Sequence, residues 1–344
     1  MPTHLVCTAV ETLGWQEYED RPPKENEVRV ACSNGAEKHG TMQAFYKGYA
    51  NARGSWNNDV RLFTGQGPKA RFPVYLGNMQ VGTVTDCGSG VAGLDTGDRV
   101  AFFGAFGPVA FVPARGCWKL EQQVDWRSAV CMDPASFAMG ALRDGHVRIG
   151  DRISISGLGA IGLMTVRLAR LAGAAEIYAV DPLANRRAVA ATLGADEVLD
   201  PTSDMDIGMY LRDKTNGLGM DVHIDFSGNV HALQAALRCV AYGGTIVAGA
   251  FPPPFTTGLD FGAEAHMNRP TIVFSRACSE PNPEHPRWSE ERIIQSCKDM
   301  ITAGLIDGSD VVTPVVPFET LLDEYPKIAS APHTNIKLGV EYQA

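Results

Sequence analysis

Three glycines and one acid carry the most specific chemistry in this chain. Gly157, Gly159 and Gly162 are spaced G-x-G-x-x-G, and Asp181 follows 19 positions after the third. A turn built this way suits a phosphate. The first glycine permits a tight turn, the second lets backbone approach a pyrophosphate, and the third lets a helix lie close on the strand before it. Ala160 and Ile161 open that helix, whose first N–H groups have no partner inside it and are free to meet phosphate oxygens. Asp181 is positioned to accept hydrogen bonds from adenosine ribose hydroxyls, and a 2′-phosphate there would meet a carboxylate. NAD is therefore expected rather than NADP, with Arg186 and Arg187 as the counterargument.

The elements around the motif are what make it specific, since glycine turns alone occur in many loops. Arg152 to Ser156 alternates like a buried strand, Ile161 to Leu171 has apolar residues at helical spacing, and Glu176 to Val180 reads as a second strand ending at Asp181. The order is strand, glycine turn, helix, strand, acid.

At 344 residues the chain exceeds the usual size of one core, so two domains are expected. Its net charge of −9 argues against nucleic acid or an anionic membrane as partner. No basic and apolar leader pattern is present, and no apolar run reaches the roughly 18 residues of a membrane span, so a soluble cytoplasmic protein is expected. The eight cysteines include no C-x-x-C and read as reduced, mostly buried thiols.

Leu5 to Val10, Glu27 to Cys32, Val81 to Asp86, Arg99 to Phe103 and Ala110 to Val112 are short β-type runs separated by glycine and proline, as in a small barrel-like domain. Arg127 to Arg143 is expected as one helix leading into the nucleotide domain. There, strands at Asp221, Gly244 and Thr271 join the first two, so that five strands alternate with helices in a parallel, doubly wound sheet. Ser275 to Trp288 is too proline-rich for regular structure, and Ser289 to Ala303 is a helix with Ser289 as its cap.

The ordered set EVRV from Glu27, GNMQVGTV from Gly77, GSGVAGLDTGDRVAF from Gly88, GLGAIG from Gly157 and NIKLGV from Asn335 resembles the medium-chain dehydrogenase/reductase superfamily. That superfamily comprises the zinc alcohol and polyol dehydrogenases and their zinc-free relatives. The resemblance implies an α/β chain with a GroES-like β-rich catalytic domain (1–134 and 276–344) and an inserted Rossmann NAD-binding domain (135–275). It also implies a homodimer, paired through the edge strand near Thr271 to Ser275.

The zinc ligands of the family are where this chain departs from it. Aligned by motif order, the family's Cys-His-Ser/Thr stretch falls on Glu37-Lys38-His39, its Gly-His-Glu on Gly77-Asn78-Met79, and its third ligand on Asp133. An amide and a thioether are poor zinc donors. No structural-zinc cysteine lobe lies between Val100 and Pro113. No metal is expected, with Glu37, His39 and Asp133 as the alternative ligand set.

Without zinc, oxidising an alcohol needs a side chain to take the hydroxyl proton. The resemblance places Glu37, Lys38 and His39 at the substrate, and an extended segment would point Glu37 and His39 one way and Lys38 the other. His39 or Lys38 is expected as acid/base, with Asp133 or Glu37 holding its charge state and Thr41 as hydroxyl relay. Tyr46 is a further acid/base candidate. Asn78, Tyr46, Arg276 and His285 are candidate substrate contacts. Lys337 matches the family's pyrophosphate contact. Ser227 and the Gly249-Ala250-Phe251 turn end strands at the sheet's carboxyl edge and should line the nicotinamide side.

The expected function is NAD-dependent oxidation of a secondary alcohol in a polar, polyol- or sugar-like small molecule. The alternatives are a zinc-free quinone or enoyl reductase and a non-catalytic NAD-binding sensor.

Overall fold

The computed structural model describes residues 1–49, 55–64, 72–252, 254–276 and 287–343. It divides into two compact units, 1–130 with 312–344, and 131–311.

The first unit is built on a mixed sheet whose centre is the long strand Glu27–Glu37. Val28, Val30 and Cys32 alternate into the core while Arg29 points outward, where its guanidinium pairs with Asp20 at 2.7 Å. Strand Gly77–Cys87 runs antiparallel to it along its length, with irregularities at Arg29/Val30 and Cys32/Asn34. Val109–Pro113 pairs with its first half and Lys337–Glu341 with its last residues. That register sets Glu37 opposite Asn78 and Ala36 opposite Met79. Leu5, Phe102, Phe106, Leu338 and Val340 fill the core, each fully buried apolar side chain adding about 1.5–3 kcal/mol.

The second unit holds a six-stranded parallel sheet in the order Glu197–Leu199, Glu176–Val180, Arg152–Ser156, Met220–Asp225, Val240–Ala248, Thr271–Phe274. This is the Rossmann order, which reverses between Arg152–Ser156 and Met220–Asp225 and opens a crevice at their carboxyl ends. Six strands replace the five expected, because Glu197–Leu199 is too short for its alternation to register. The single helix expected over Arg127 to Arg143 is two, Trp126–Val130 and Met132–Asp144, broken at Cys131.

The expected domain boundary near 276 moves to 311. Helix Glu290–Thr302, capped as expected by Ser289, buries Ile293, Cys297 and Ile301 and packs on helix Met132–Asp144 of the second unit. Trp288 lies between the guanidinium groups of Arg143 at 3.5 Å and Arg292 at 4.2 Å, a cation–π sandwich that fixes the start of this helix.

Among the described residues no helix is long and apolar enough to cross a membrane. Five of the seven described cysteines are buried; Cys278 lies outside the described residues.

Candidate active site

In the second unit the glycine turn is held by backbone. Gly157 has φ +84°, its N–H donates to Val180 O at 2.9 Å, and a Cβ on it would lie 2.4 Å from Ser227 N. A Cβ on Gly162 would lie 2.0 Å from Gly157 O. At Gly159, by contrast, a Cβ would meet nothing within 4 Å, so the turn is open on the side where the family places a pyrophosphate. Helix Ala160–Leu171 starts there, with Gly159 as its cap and no side chain on its first N–H groups. This cradle fits a dinucleotide phosphate.

Asp181 is 3 % exposed and accepts from Leu158 N–H at 2.7 Å and Leu183 N–H at 2.8 Å. Arg186 lies 3.8 Å from the same carboxylate, and its Nε is buried with no hydrogen bond among the described residues. Burial holds its guanidinium below the usual range while Asp181 pulls the other way. Arg187 is already engaged, by Asp181 O at 2.7 Å and Asp200 at 2.9 Å.

Next to the turn, strand Met220–Asp225 ends on an acid that sequence reasoning missed. The Asp225 carboxylate accepts from Ser227 N–H at 3.0 Å and Gly228 N–H at 3.3 Å, shaping the loop that Gly157 packs against. Burial pushes its carboxyl up, and the bonds from Ser227 and Gly228 work against the rise. The signal was present, an Asp two residues before a Ser in the pattern of an Asx turn. Gly249 N–H donates to Asp225 O at 2.9 Å, so Ser227 and Gly249 are brought together. Ala250 is half-buried and Phe251 exposed.

The first unit gathers a different set. Glu37 is wholly buried, its Oε1 accepting from the Tyr325 hydroxyl and its backbone O from Lys337 Nζ at 2.6 Å. Burial and the Glu37 carboxylate raise the Tyr325 hydroxyl well above its usual range, so the tyrosine remains the donor. Tyr46 stands 5.1 Å from Tyr325, ring edge to face, within the core rather than open to a substrate. Asn78 faces Glu37 across the strand pair, and its Nδ2 is buried with no hydrogen bond among the described residues.

The expected extended run through Glu37, Lys38 and His39 is corrected. The strand ends at Glu37, Lys38 caps a helix and His39 begins it, His39–Tyr46. Met42 N–H donates to Lys38 O at 2.9 Å, and the helix turns Gln43, Ala44 and Tyr46 inward, leaving Thr41 exposed. Burial of that apolar face outweighs the local alternation.

Asp133 is buried in the first turn of helix Met132–Asp144, in the second unit, and Lys337 belongs to the first. Arg276 is exposed just after the last strand of the second unit, and His285 lies outside the described residues, as does the side chain of His39. Tyr325 had no signal at all, being 288 positions from Glu37.

Zinc is the metal this fold family implies, and the donors at its place do not suit it. In the first unit they are a carboxylate already accepting from Tyr325, an amide and a wholly buried thioether, while Asp133 belongs to the second unit and the side chain of His39 lies outside the described residues. Among the described residues no three His, Cys, Asp or Glu side chains are grouped to hold a metal.

A family model described as zinc-binding dehydrogenase matches residues 160–290, and one described as alcohol dehydrogenase GroES-like domain matches residues 50–143. D-guloside 3-dehydrogenase of Escherichia coli K12 is 40% identical over 348 residues, which cover 98% of this chain and 99% of that protein. Among solved structures, 2R,3R-butanediol dehydrogenase of Bacillus subtilis superposes with a TM-score of 0.80 at 18% identity, covering 99% of both chains. L-idonate 5-dehydrogenase of E. coli gives 0.78 at 18%, covering 99% of this chain and 98% of that one. At those identities the structures share the fold.

Proposed function

The chain belongs to the zinc-type medium-chain dehydrogenase superfamily and is an oxidoreductase of alcohols or polyols. From that premise we propose that it oxidises a secondary ring hydroxyl of a sugar-like substrate, a glycoside oxidised at C3, with NAD as acceptor and without zinc. The observation that carries the reading is the 40% identity along nearly the whole chain to a D-guloside 3-dehydrogenase.

Bound, NAD would supply the acceptor for a hydride from the carbinol carbon, and this chain's own residues would have to take the hydroxyl proton, so that alcohol and NAD would give ketone, NADH and a proton. The turn Gly157 to Gly162 would hold the pyrophosphate, Asp181 the adenosine ribose, and the Ser227 and Gly249 turns would border the nicotinamide. Lys337 is buried in the first unit, where its Nζ donates to Glu37 O at 2.6 Å. Lys38 or His39 takes the proton, the two standing at the joint of strand and helix next to the buried Glu37. Glu37 is set by Tyr325 and faces Asn78 rather than a zinc-binding histidine, which supports side-chain chemistry.

The protein is proposed to act as a homodimer. Among the described residues Thr271–Phe274 is an edge strand with a sheet neighbour on one side only, and Phe274 is 84% exposed on it.

One preparation tests the reading. Purified without chelator or added metal, it should sediment at twice the chain mass, carry almost no zinc and turn over glycosides with NAD faster than with NADP. Activity on aliphatic alcohols alone would overturn the substrate class. About one zinc per chain, lost together with activity on chelation, would overturn the proton chemistry.

A further inference from the structure

Both oxygens of Asp181 are engaged within the protein itself. Oδ2 accepts from Leu158 N–H, 23 positions back in the chain and between the first two glycines of the turn. Oδ1 accepts from Leu183 N–H, at the start of helix Ala184–Leu193. Leu158 is wholly buried, so its N–H has no solvent to turn to if the carboxylate is lost. The N–H before it, on Gly157, is bound to Val180 O at 2.9 Å, and the cap of the next helix is Gly159.

We infer that Asp181 is a positioning residue for the phosphate-binding turn: its carboxylate fixes Leu158 so that the N–H groups beyond it stay aimed at a pyrophosphate. The inference rests on the dinucleotide reading above and deepens it. A carboxylate that only touched ribose hydroxyls would affect a ligand through those hydroxyls alone. One that holds the turn affects every ligand carrying the pyrophosphate. An asparagine here keeps the shape, but one of the two backbone donors then faces an NH2 instead of an acceptor. Arg186, 3.8 Å away, is left beside the place of a 2′-phosphate, which gives the competing account a distinct outcome.

The test is calorimetric binding of NAD, of NAD lacking the adenosine 2′-hydroxyl, and of NADP to the full chain and to Asp181→Asn. Positioning expects NAD and the 2′-deoxy form to weaken by the same factor, about tenfold or more, with no gain for NADP. It is overturned if the variant binds the 2′-deoxy form as tightly as wild type does, or turns to NADP with the pyrophosphate contribution intact. Should the variant not fold, amide exchange in the wild-type protein without ligand decides the matter. Leu158 and Leu183 should exchange at least about tenfold more slowly than Ala160 and Ile161, and equal rates would sink the inference. A wild type that binds no dinucleotide refutes the functional reading alone, and the exchange ratio still decides the role of Asp181.

Discussion

The glycine turn of the second unit and the strand end of the first hold their chemistry by opposite means. In the turn, backbone meets backbone: Gly162 lies where a Cβ would be 2.0 Å from Gly157 O, and Gly157 where one would be 2.4 Å from Ser227 N. At the strand end, side chains meet side chains, Tyr325 on Glu37, with Lys337 on the Glu37 carbonyl. A backbone cradle has no rotamers with which to absorb an added atom. A side-chain cluster can lose one member and keep its outline.

Gly162→Val should therefore have the largest effect. The turn has to move, and dinucleotide affinity should fall about 100-fold or more with the far-ultraviolet spectrum unchanged. Calorimetry giving near-native affinity would break the contrast outright.

Tyr325→Phe should act by degrees. It strips Glu37 of one donor while keeping the ring that packs on Tyr46, which should cost about 1–3 kcal/mol in a denaturant titration. It should also lower kcat by about tenfold while leaving the KM for substrate nearly as it was, as expected of a group acting through Glu37. If stability falls and the rate does not, Glu37 is structural and the proton chemistry lies with Lys38 and His39 alone.

The smallest effect sharpens the comparison from inside the second unit. His223 is wholly buried in the parallel sheet, its Nδ1 2.7 Å from Ser154 Oγ, and burial pushes its imidazole down to about 4. The folded pKa lies below the unfolded value near 6.5, so the unfolded chain takes up the proton first. The stability linked to His223 is complete above pH 6.5 and is lost as pH falls from there toward about 4. Between pH 7 and 5.5 this amounts to about 1 kcal/mol of unfolding free energy, read from denaturant titrations, and His223→Gln should flatten that slope. A slope that persists in the variant would place the acid sensitivity elsewhere.

The parts of the site that could be read in the chain are those whose partners lie within one strand–turn–helix. Gly157, Gly159, Gly162 and Asp181 announce themselves because their spacing is the geometry. The Ser289 cap was legible for the same reason. What escaped depends on distance or on brevity. The strand Glu197–Leu199 is too short to show a period. The helix Glu290–Thr302 joins the second unit through Trp288 and its buried stripe, and no local feature says which unit that stripe will meet. His39 leaves the extended line expected of it because the helix it opens has a face to bury.

The sequence by itself determined the family, the parallel α/β class of the nucleotide domain and the strand, glycine turn and helix from Arg152 to Leu171. Each follows from residue types at fixed local spacing, which fold with the same geometry wherever they occur. Only the tertiary structure decided that Glu37 faces Asn78, that Tyr325 is the group bonded to it, and that Asp181 serves the turn as well as standing beside it. Strand register and side-chain pairing across hundreds of positions are set by the packing of the whole unit, and packing is not written in any one stretch of the chain.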